Sequence, residues 1–103
     1  MNLKCYKNLY LDENIEDKDE VINQIEQNIN IFNLYLILVS KNSNNIFEIL
    51  SLNECFKKRY ENKDYVVVGM AYGKKQCFTL IKTIFYDNIN DIKNIRQKFI
   101  KNK

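Results

Sequence analysis

The sequence predicts a single α+β domain, and three observations support this class. Two stretches, Leu34–Val39 and 65–72, are apolar and rich in β-branched or aromatic residues, which is typical of buried strands. Other segments carry apolar residues at the spacing of amphipathic helices. The chain has 103 residues, no proline and only two glycines, so no stretch has the composition of a flexible linker. We therefore expect residues 1–103 to form one domain.

The first quarter of the chain predicts a strand followed by a helix. Apolar and polar residues alternate weakly over residues 3–11, which favours a strand. Asp17 and Glu20 then have the spacing of a capping box, which marks the start of a helix. The apolar stripe expected on that helix consists of Val21, Ile22, Ile25 and Ile29.

The middle of the chain predicts a hairpin and a short helix. The apolar stretch 34–39 and the segment 46–50 predict two strands joined by a polar turn at 41–45, and such a short link favours antiparallel pairing. Ser51 and Glu54 form a second capping box, which predicts a short helix through about residue 59. Phe56 and Tyr60 are expected to face the core.

The second half predicts a central strand and two helices. Because residues 65–72 are apolar at nearly every position, we expect this strand to be buried on both faces and to lie centrally. Gly73 ends it, and a helix is expected over residues 74–87. Its predicted inward residues are Phe78, Ile81, Ile84 and Phe85. A last, narrower amphipathic helix is predicted from Ile89, Ile92, Ile95 and Phe99.

The predicted element order is β-α-β-β-α-β-α-α, with a mixed or antiparallel sheet of about four strands and helices packed on it. The first six elements resemble the ferredoxin-like pattern. Two features favour a variant instead. The second helix is short for that pattern. The fourth strand has the composition of a central strand, although the usual order places it at an edge. A mixed sheet with its own topology is therefore an open alternative.

Composition indicates a reducing, intracellular environment. The three cysteines are odd in number and widely spaced, which argues against a disulfide framework. No apolar run approaches the roughly 20 residues that span a bilayer, and we expect no membrane or targeting segment. The predicted location is the cytoplasm. Frequent Asn, Lys and Ile, whose codons are AT-rich, indicate a bacterial AT-rich genome, with a phage or mobile element as the expected source.

The residue inventory excludes most catalytic chemistry. The chain has no histidine, the commonest general base near neutral pH and the commonest metal ligand. The three cysteines form no Cys-x-x-Cys pair, so we expect no metal, no cofactor and no catalytic residues. The thiols are expected to be small buried groups. Cys77 is the one candidate for a reactive thiol, because it falls in a helix first turn beside Lys75.

Charge is unevenly distributed along the chain. The net charge is +3. Residues 1–52 hold four Lys against eight Asp/Glu, a net charge of −4, whereas residues 53–103 hold twelve Lys/Arg against five acids, a net charge of +7. The two halves are expected to attract each other within the fold or between copies, or simply to be solvated.

Two basic clusters are the candidate anion-binding or partner-binding residues. Lys57, Lys58 and Arg59 are expected in the last turn of a helix, where the dipole favours cations. Lys74 and Lys75 instead follow Gly73 at the start of a helix, against the dipole, where a bound anion would compensate.

The segment 69–75 resembles a phosphate-binding loop. It has three residues between its glycines instead of four, and a second Lys where that loop has Ser or Thr. Nucleotide hydrolysis is therefore not expected.

Three hypotheses about function follow. The first is a non-catalytic interaction or regulatory module that contacts a protein partner, or a second copy of itself, through an edge strand or the terminal helix. The second is nucleic-acid or polyanion binding through the basic C-terminal half. The third is a small-molecule enzyme or carrier built on the central strand, which requires a deep pocket.

Overall fold

In the computed structural model, which describes residues 2–41 and 44–101, the chain forms one sheet with helices on it. The elements in chain order are β1 (Asn2–Leu11), α1 (Lys18–Glu26), β2 (Leu34–Val39), β3 (Glu48–Ser51), α2 (Leu52–Cys55), β4 (Asp64–Tyr72), α3 (Lys74–Asp87) and α4 (Ile95–Lys101). Two 3-10 helices, Lys58–Tyr60 and Ile89–Asn94, precede β4 and α4. This is the predicted α+β class and element order.

The sheet is mixed, with the strand order β1-β4-β2-β3. β1 pairs with β4 in parallel, whereas β2 is antiparallel to both β4 and β3. The interior position predicted for β4 is confirmed. Because the ferredoxin-like order would place the fourth strand at an edge, the observed topology is the variant that the sequence left open.

Helices cover the sheet on both faces. On one face, α1 and α2 pack against β2 and β4 to form a core of buried residues, which we call core A. On the other face, α3 and α4 form a second core, core B, around Cys77, Ile84, Ile95 and Phe99. β4 supplies alternate residues to both cores, which explains why its sequence is apolar throughout.

The pairing of β1 with β4 is irregular just before Gly69. β1 pairs through Cys5 with Val67 and then resumes at Tyr10 with Gly69, so four residues of β1 lie opposite one residue of β4. A Cβ at position 69 would lie 3.1 Å from the carbonyl oxygen of Tyr10 and 3.0 Å from Cδ1 of Ile37. Glycine therefore allows the bulged edge strand to approach the central strand closely.

Both predicted helix caps are confirmed. The Asp17 carboxylate accepts a hydrogen bond from the Glu20 backbone N–H at 3.1 Å, and the Ser51 hydroxyl accepts one from Glu54 N–H at 3.2 Å. Each bond satisfies a backbone donor that has no partner within its helix. The local sequence therefore fixes where these two helices begin.

The ends of several elements differ from the predictions. α2 stops at Cys55 rather than near residue 59, because the Lys57 backbone is extended and a 3-10 helix follows. β3 begins at Glu48 rather than at 46. Of the predicted 41–45 turn, residues 42 and 43 lie outside the described residues.

Four apolar residues predicted to face the core are instead largely exposed. α1 ends at Glu26, so Ile29 lies outside the helix and is not part of its apolar stripe. Ile89 and Ile92 lie in a 3-10 helix, interrupted at Asp91, that does not share the inward face of α4. In α3 the buried stripe runs through Cys77 and Ile84, so Phe78 lies at its margin.

Candidate functional site

The start of α3 lies where the sequence predicted it. Gly73 has a positive φ of 91° and precedes the first helical turn, which no side chain caps. Its N–H donates to the Asn33 carbonyl at 2.9 Å, which fastens the turn to the loop before β2. Lys74 and Lys75 are both exposed there, and neither forms a salt bridge with a described residue. No ion pair with a described residue therefore offsets the unfavourable position of these two lysines against the helix dipole.

A buried carboxylate, Asp12, supports this turn from the end of β1. Its Oδ2 accepts a hydrogen bond from Tyr72 N–H at 3.1 Å, and its Oδ1 accepts from the backbone and side-chain nitrogens of Asn14 at 3.3 and 3.4 Å. The Asp12 backbone N–H donates to Met70 O at 3.0 Å. Oδ2 and the backbone N–H thus hold the end of β1 to the end of β4 just before α3, whereas Oδ1 stabilises the local turn at Asn14.

The role of Asp12 in joining β1 to β4 was not predicted from the sequence. An Asp directly after a strand and two residues before Asn14 is typical of an Asx turn. That signal reveals the local turn, but not the bond to Tyr72, which lies 60 residues away in sequence.

Burial disfavours the thiolate form of all three cysteines. Burial raises the pKa of Cys77 to about 12, and the nearby Asp12 carboxylate raises it further. Burial likewise raises the pKa of Cys55 to about 11 and that of Cys5 above its usual value. The prediction that Cys77 is the candidate reactive thiol is wrong, because packing in core B outweighs the first-turn position and Lys75.

The outward side of α3 combines lysines with aromatic rings. Lys75, Lys82 and Tyr86 are separated by seven and four residues, which places them on one side of the helix. Phe78 lies beside this row, and the exposed fractions of Phe78 and Tyr86 are 53% and 76%. We call the exposed side chains of Lys74, Lys75, Phe78, Lys82 and Tyr86 the α3 surface.

The α3 surface carries no acidic group, and exposed apolar residues follow α3 in the chain. Residues 74–86 contain no Asp or Glu. The carboxylate that follows, Asp87, accepts a hydrogen bond from the Tyr10 hydroxyl at 2.9 Å. Beyond it, Ile89 and Ile92 are 61% and 40% exposed. The surface is thus cationic and apolar, a composition suited to an anionic partner with apolar side chains.

The second basic cluster lies in a different environment. Lys57 Nζ is 2.9 Å from Glu54 Oε2, and the Arg59 guanidinium also pairs with the Glu54 carboxylate. Arg59 and Lys63 approach the Tyr60 ring, with cation-to-centroid distances of 5.3 and 5.4 Å. Glu54 therefore compensates part of this cluster, contrary to the expectation that a helix C-terminus accounts for it.

Lys57 and Lys58 border a groove of about 880 Å³ on the core A face. The groove lies between the start of β1, the end of α1 and the segment that follows α2. Its apolar floor is formed by Leu3, Cys5, Ile22, Ile25, Cys55, Phe56 and Val67. The charged and polar residues that line it are Lys4, Glu26, Asn28, Lys57, Lys58 and Glu61.

The two predicted clusters do not form one site. Lys57–Arg59 precede the first residue of β4, and Gly73–Lys75 follow its last residue, so the strand separates them. The groove also lies on the core A face, whereas α3 packs on core B. The chain therefore presents two independent candidate surfaces.

The acidic and basic halves do not pair through the salt bridges seen between described residues. Both of those ion pairs involve Glu54 and lie within the basic half. Glu13, Glu16, Asp17, Asp19 and Glu20 are all exposed. These ion pairs therefore do not support the prediction that the acidic half and the basic half attract each other within one chain.

Over residues 2–41 and 44–101, no group of three or more Cys, Asp or Glu side chains is placed to hold a metal ion. Within the same ranges, no helix has the length and hydropathy required to cross a bilayer. No protein family, curated protein or solved structure matches the chain.

Proposed function

We propose that this protein is a non-catalytic interaction module that binds an acidic protein partner through the α3 surface. The observation that carries the proposal is the combination, on one exposed side of α3, of three lysines and two aromatic rings with no carboxylate. Aromatic side chains, Tyr above all, are enriched at the energetic centres of protein interfaces, and charged side chains belong to their rims.

Two further observations favour a protein over a nucleic acid as the partner. Exposed aliphatic side chains, Ile89 and Ile92, follow α3 in the chain, and such side chains suit a packed protein interface better than base stacking. Two alternative docking elements are less available. α4 buries Ile95 and Phe99 in core B. β1, one of the two edge strands, is bulged and carries Lys4 and Lys7, features that discourage strand addition.

The non-catalytic assignment rests on the side chains that are present. The sequence has no imidazole, and burial keeps the thiols protonated near neutral pH. The three cysteines are free, which fits a reducing cytoplasm. A regulator or inhibitor encoded by a bacterial phage or mobile element is the role that we propose for a module of this size.

The test is affinity purification of the tagged protein from its host, with binding of the recovered partner measured for two charge-reversal variants. Lys75→Glu with Lys82→Glu alters the α3 surface, and Lys4→Glu with Lys7→Glu makes the same charge change on β1. We expect the α3 variant to weaken binding about tenfold or more and the β1 variant to leave it unchanged. Tyr86→Ser should also weaken binding about tenfold.

Equal binding by both charge variants would overturn the proposal, as would recovery of the protein alone as a monomer. Self-association by sedimentation, abolished by Lys75→Glu with Lys82→Glu, would instead identify a second copy as the partner. The acidic residues 13–20 would then supply the complementary charge.

Nucleic-acid binding is the second candidate, favoured by the two exposed rings and the lysines of the α3 surface. A labelled single-stranded oligonucleotide should bind weakly or not at all near physiological salt if the partner is a protein. Tight binding that falls steeply with added salt, and is lost in Lys74→Glu with Lys75→Glu, would replace the first proposal with the second.

A further inference from the structure

We propose that Phe32 is an apolar anchor of the interface at the start of α3, and that the acidic protein partner receives its ring in an apolar pocket. This inference rests on the proposed function, because it extends the surface that the same partner contacts. Phe32 lies in the loop between α1 and β2. It is 89% exposed, the largest exposed fraction among the large apolar side chains of the described residues.

The loop that carries Phe32 is fixed at its start by the end of α1. The Asn28 backbone N–H donates to Ile25 O at 3.0 Å. The Ile29 backbone N–H donates to Gln24 O at 2.9 Å, and together the two bonds form a Schellman motif. Asn28 has the positive φ, 59°, that this motif requires. The loop therefore leaves the helix in a defined direction.

The end of the loop is a turn with Phe32 at its corner. The Leu34 N–H donates to Ile31 O at 3.2 Å, so residues 31–34 form a β-turn. Asn33, the third residue of the turn, has a φ of 61°, a conformation that favours Gly or Asn there. Ile31 packs against core A and Leu34 is buried in it, whereas Phe32 packs in neither core. An ordered backbone thus holds the Phe32 ring in solvent.

The turn is bonded directly to the start of α3. The Gly73 N–H donates to Asn33 O at 2.9 Å. Phe32 precedes Asn33 and Lys74 follows Gly73, so the Cα atoms of Phe32 and Lys74 are no more than about 15 Å apart. A protein interface of standard size covers about 800 Å² of each partner, a patch about 30 Å across. One partner can therefore cover Phe32 and the lysines at the start of α3 together.

Charge and residue type indicate the chemistry of the occupant. Lys74 and Lys75 are exposed and form no salt bridge with a described residue. The acidic segment that starts at Glu13 follows β1, whereas Phe32 precedes β2, and these two strands flank β4 on opposite sides. Phe is enriched at protein interfaces, and Ile29, 45% exposed, adds apolar surface to the loop. This surface fits a partner whose apolar pocket is bordered by carboxylates.

Photo-crosslinking from single positions tests whether one partner covers both places. p-Benzoylphenylalanine is introduced in place of Phe32, of Phe78 on the α3 surface, or of Asn62. Asn62 is the control, because it is exposed in the turn before β4, at the strand end opposite to Gly73. After irradiation in the host, mass spectrometry should identify the same acidic protein crosslinked at positions 32 and 78 and not at position 62.

The outcomes separate this inference from the function on which it rests. A crosslink at position 78 without one at position 32, or different proteins at the two positions, would overturn the inference and leave the proposed function in place. No crosslink at either position would overturn both. A second copy of this chain crosslinked at both positions would overturn the assignment of a separate acidic protein as the occupant.

Substitution of the ring measures its contribution to binding. Phe32→Ser should weaken binding of the crosslinked protein about tenfold or more, whereas Phe32→Leu keeps an apolar side chain and should weaken it less. Because Phe32 packs in neither core, Phe32→Ser should leave the urea midpoint of unfolding unchanged. Equal binding by the wild type and Phe32→Ser, or a loss of binding accompanied by a lower urea midpoint, would contradict the role of the ring as an anchor.

Discussion

Asp12 shows how a single side chain joins distant parts of this chain. Its buried carboxylate accepts hydrogen bonds from Tyr72 N–H and from two nitrogens of Asn14. The bond from Tyr72 N–H holds the end of β4, and with it the start of α3, against the end of β1. The positioning of Lys74 and Lys75 therefore depends on a residue far from them in sequence.

Replacement of Asp12 by Ala should lower the free energy of unfolding by about 1–3 kcal/mol, because the Tyr72 N–H loses its acceptor in a partly buried position. Asp12→Asn should cost less, since the amide keeps one acceptor oxygen. Urea denaturation followed by circular dichroism measures both. Glu13→Ala, which removes an adjacent exposed carboxylate, is the control and should change stability by less than about 0.5 kcal/mol. A similar loss for Asp12→Ala and Glu13→Ala would refute this role.

Cys77 illustrates the opposite case, in which a local signal is misleading. A first-turn position beside a lysine ordinarily favours the thiolate. In the fold the side chain is enclosed in core B, and desolvation raises its pKa to about 12. Desolvation is the larger effect because the charges that would stabilise a thiolate remain in solvent, where they are screened.

At the scale of elements, α3 combines a favourable amphipathic pattern with an unfavourable first turn. The helix spans 14 residues and buries Cys77 and Ile84. Its first two positions are lysines, which oppose the helix dipole, and neither is neutralised by an ion pair with a described residue. Residues that reduce stability without a structural benefit are expected at binding surfaces.

Lys74→Glu with Lys75→Glu should therefore stabilise the isolated protein, by about 0.3–1 kcal/mol for each substitution at low ionic strength. Added salt should diminish the gain, because the effect is electrostatic and exposed. Thermal or urea unfolding at two salt concentrations measures it. Lys82→Glu, in the middle of the helix, is the control and should give little gain. A destabilised double variant would mean that these lysines have a favourable role within the fold.

At the scale of the whole molecule, every resolved pKa shift has the same direction. Burial raises the pKa of Cys77, Tyr10 and Tyr65 to about 12 and that of Cys55 to about 11, and it also raises the pKa of Cys5. In each case the neutral, protonated form is the one that the fold accommodates. The unfolded chain therefore ionises at lower pH than the folded chain.

Stability should consequently be insensitive to these groups below about pH 9, the ordinary thiol pKa, and should fall as pH rises from about 9 toward 12. Urea midpoints measured between pH 7 and pH 11 test the prediction. Cys55→Ala with Cys77→Ala removes two of the groups, so its alkaline loss should be smaller than that of the wild type. A wild-type midpoint that does not change over this range would contradict the assignment.

How far the fold could be predicted varies with the range of the interactions. The caps at Asp17 and Ser51, the strand 34–39 and the helix Lys74–Asp87 follow from signals within a few residues, and all are confirmed. The positions of Ile89 and Phe78 were not predicted correctly. Helical spacing shows which residues can share a face, but the width of the face that the sheet covers is a tertiary property.

The candidate surfaces were predictable only in part. The sequence identified Lys74, Lys75, Lys57, Lys58 and Arg59 as clusters, and it placed Gly73 at the start of α3. It did not show that Glu54 neutralises part of one cluster, that two of its lysines border a groove, or that Phe78 and Tyr86 are exposed beside the other. These relations join residues on different elements, and local patterning carries no information about them.

By itself the sequence determined the α+β class, the order of the elements, the interior position of β4 and a side-chain inventory without imidazole. Only the tertiary structure decided that β1 lies beside β4, that α1 and α2 cover one face of the sheet and α3 and α4 the other, and that a groove remains on the core A face. The physical reason is that periodicity and capping act within one or two turns of chain. Strand neighbours, buried faces and unfilled space are set by packing between segments tens of residues apart.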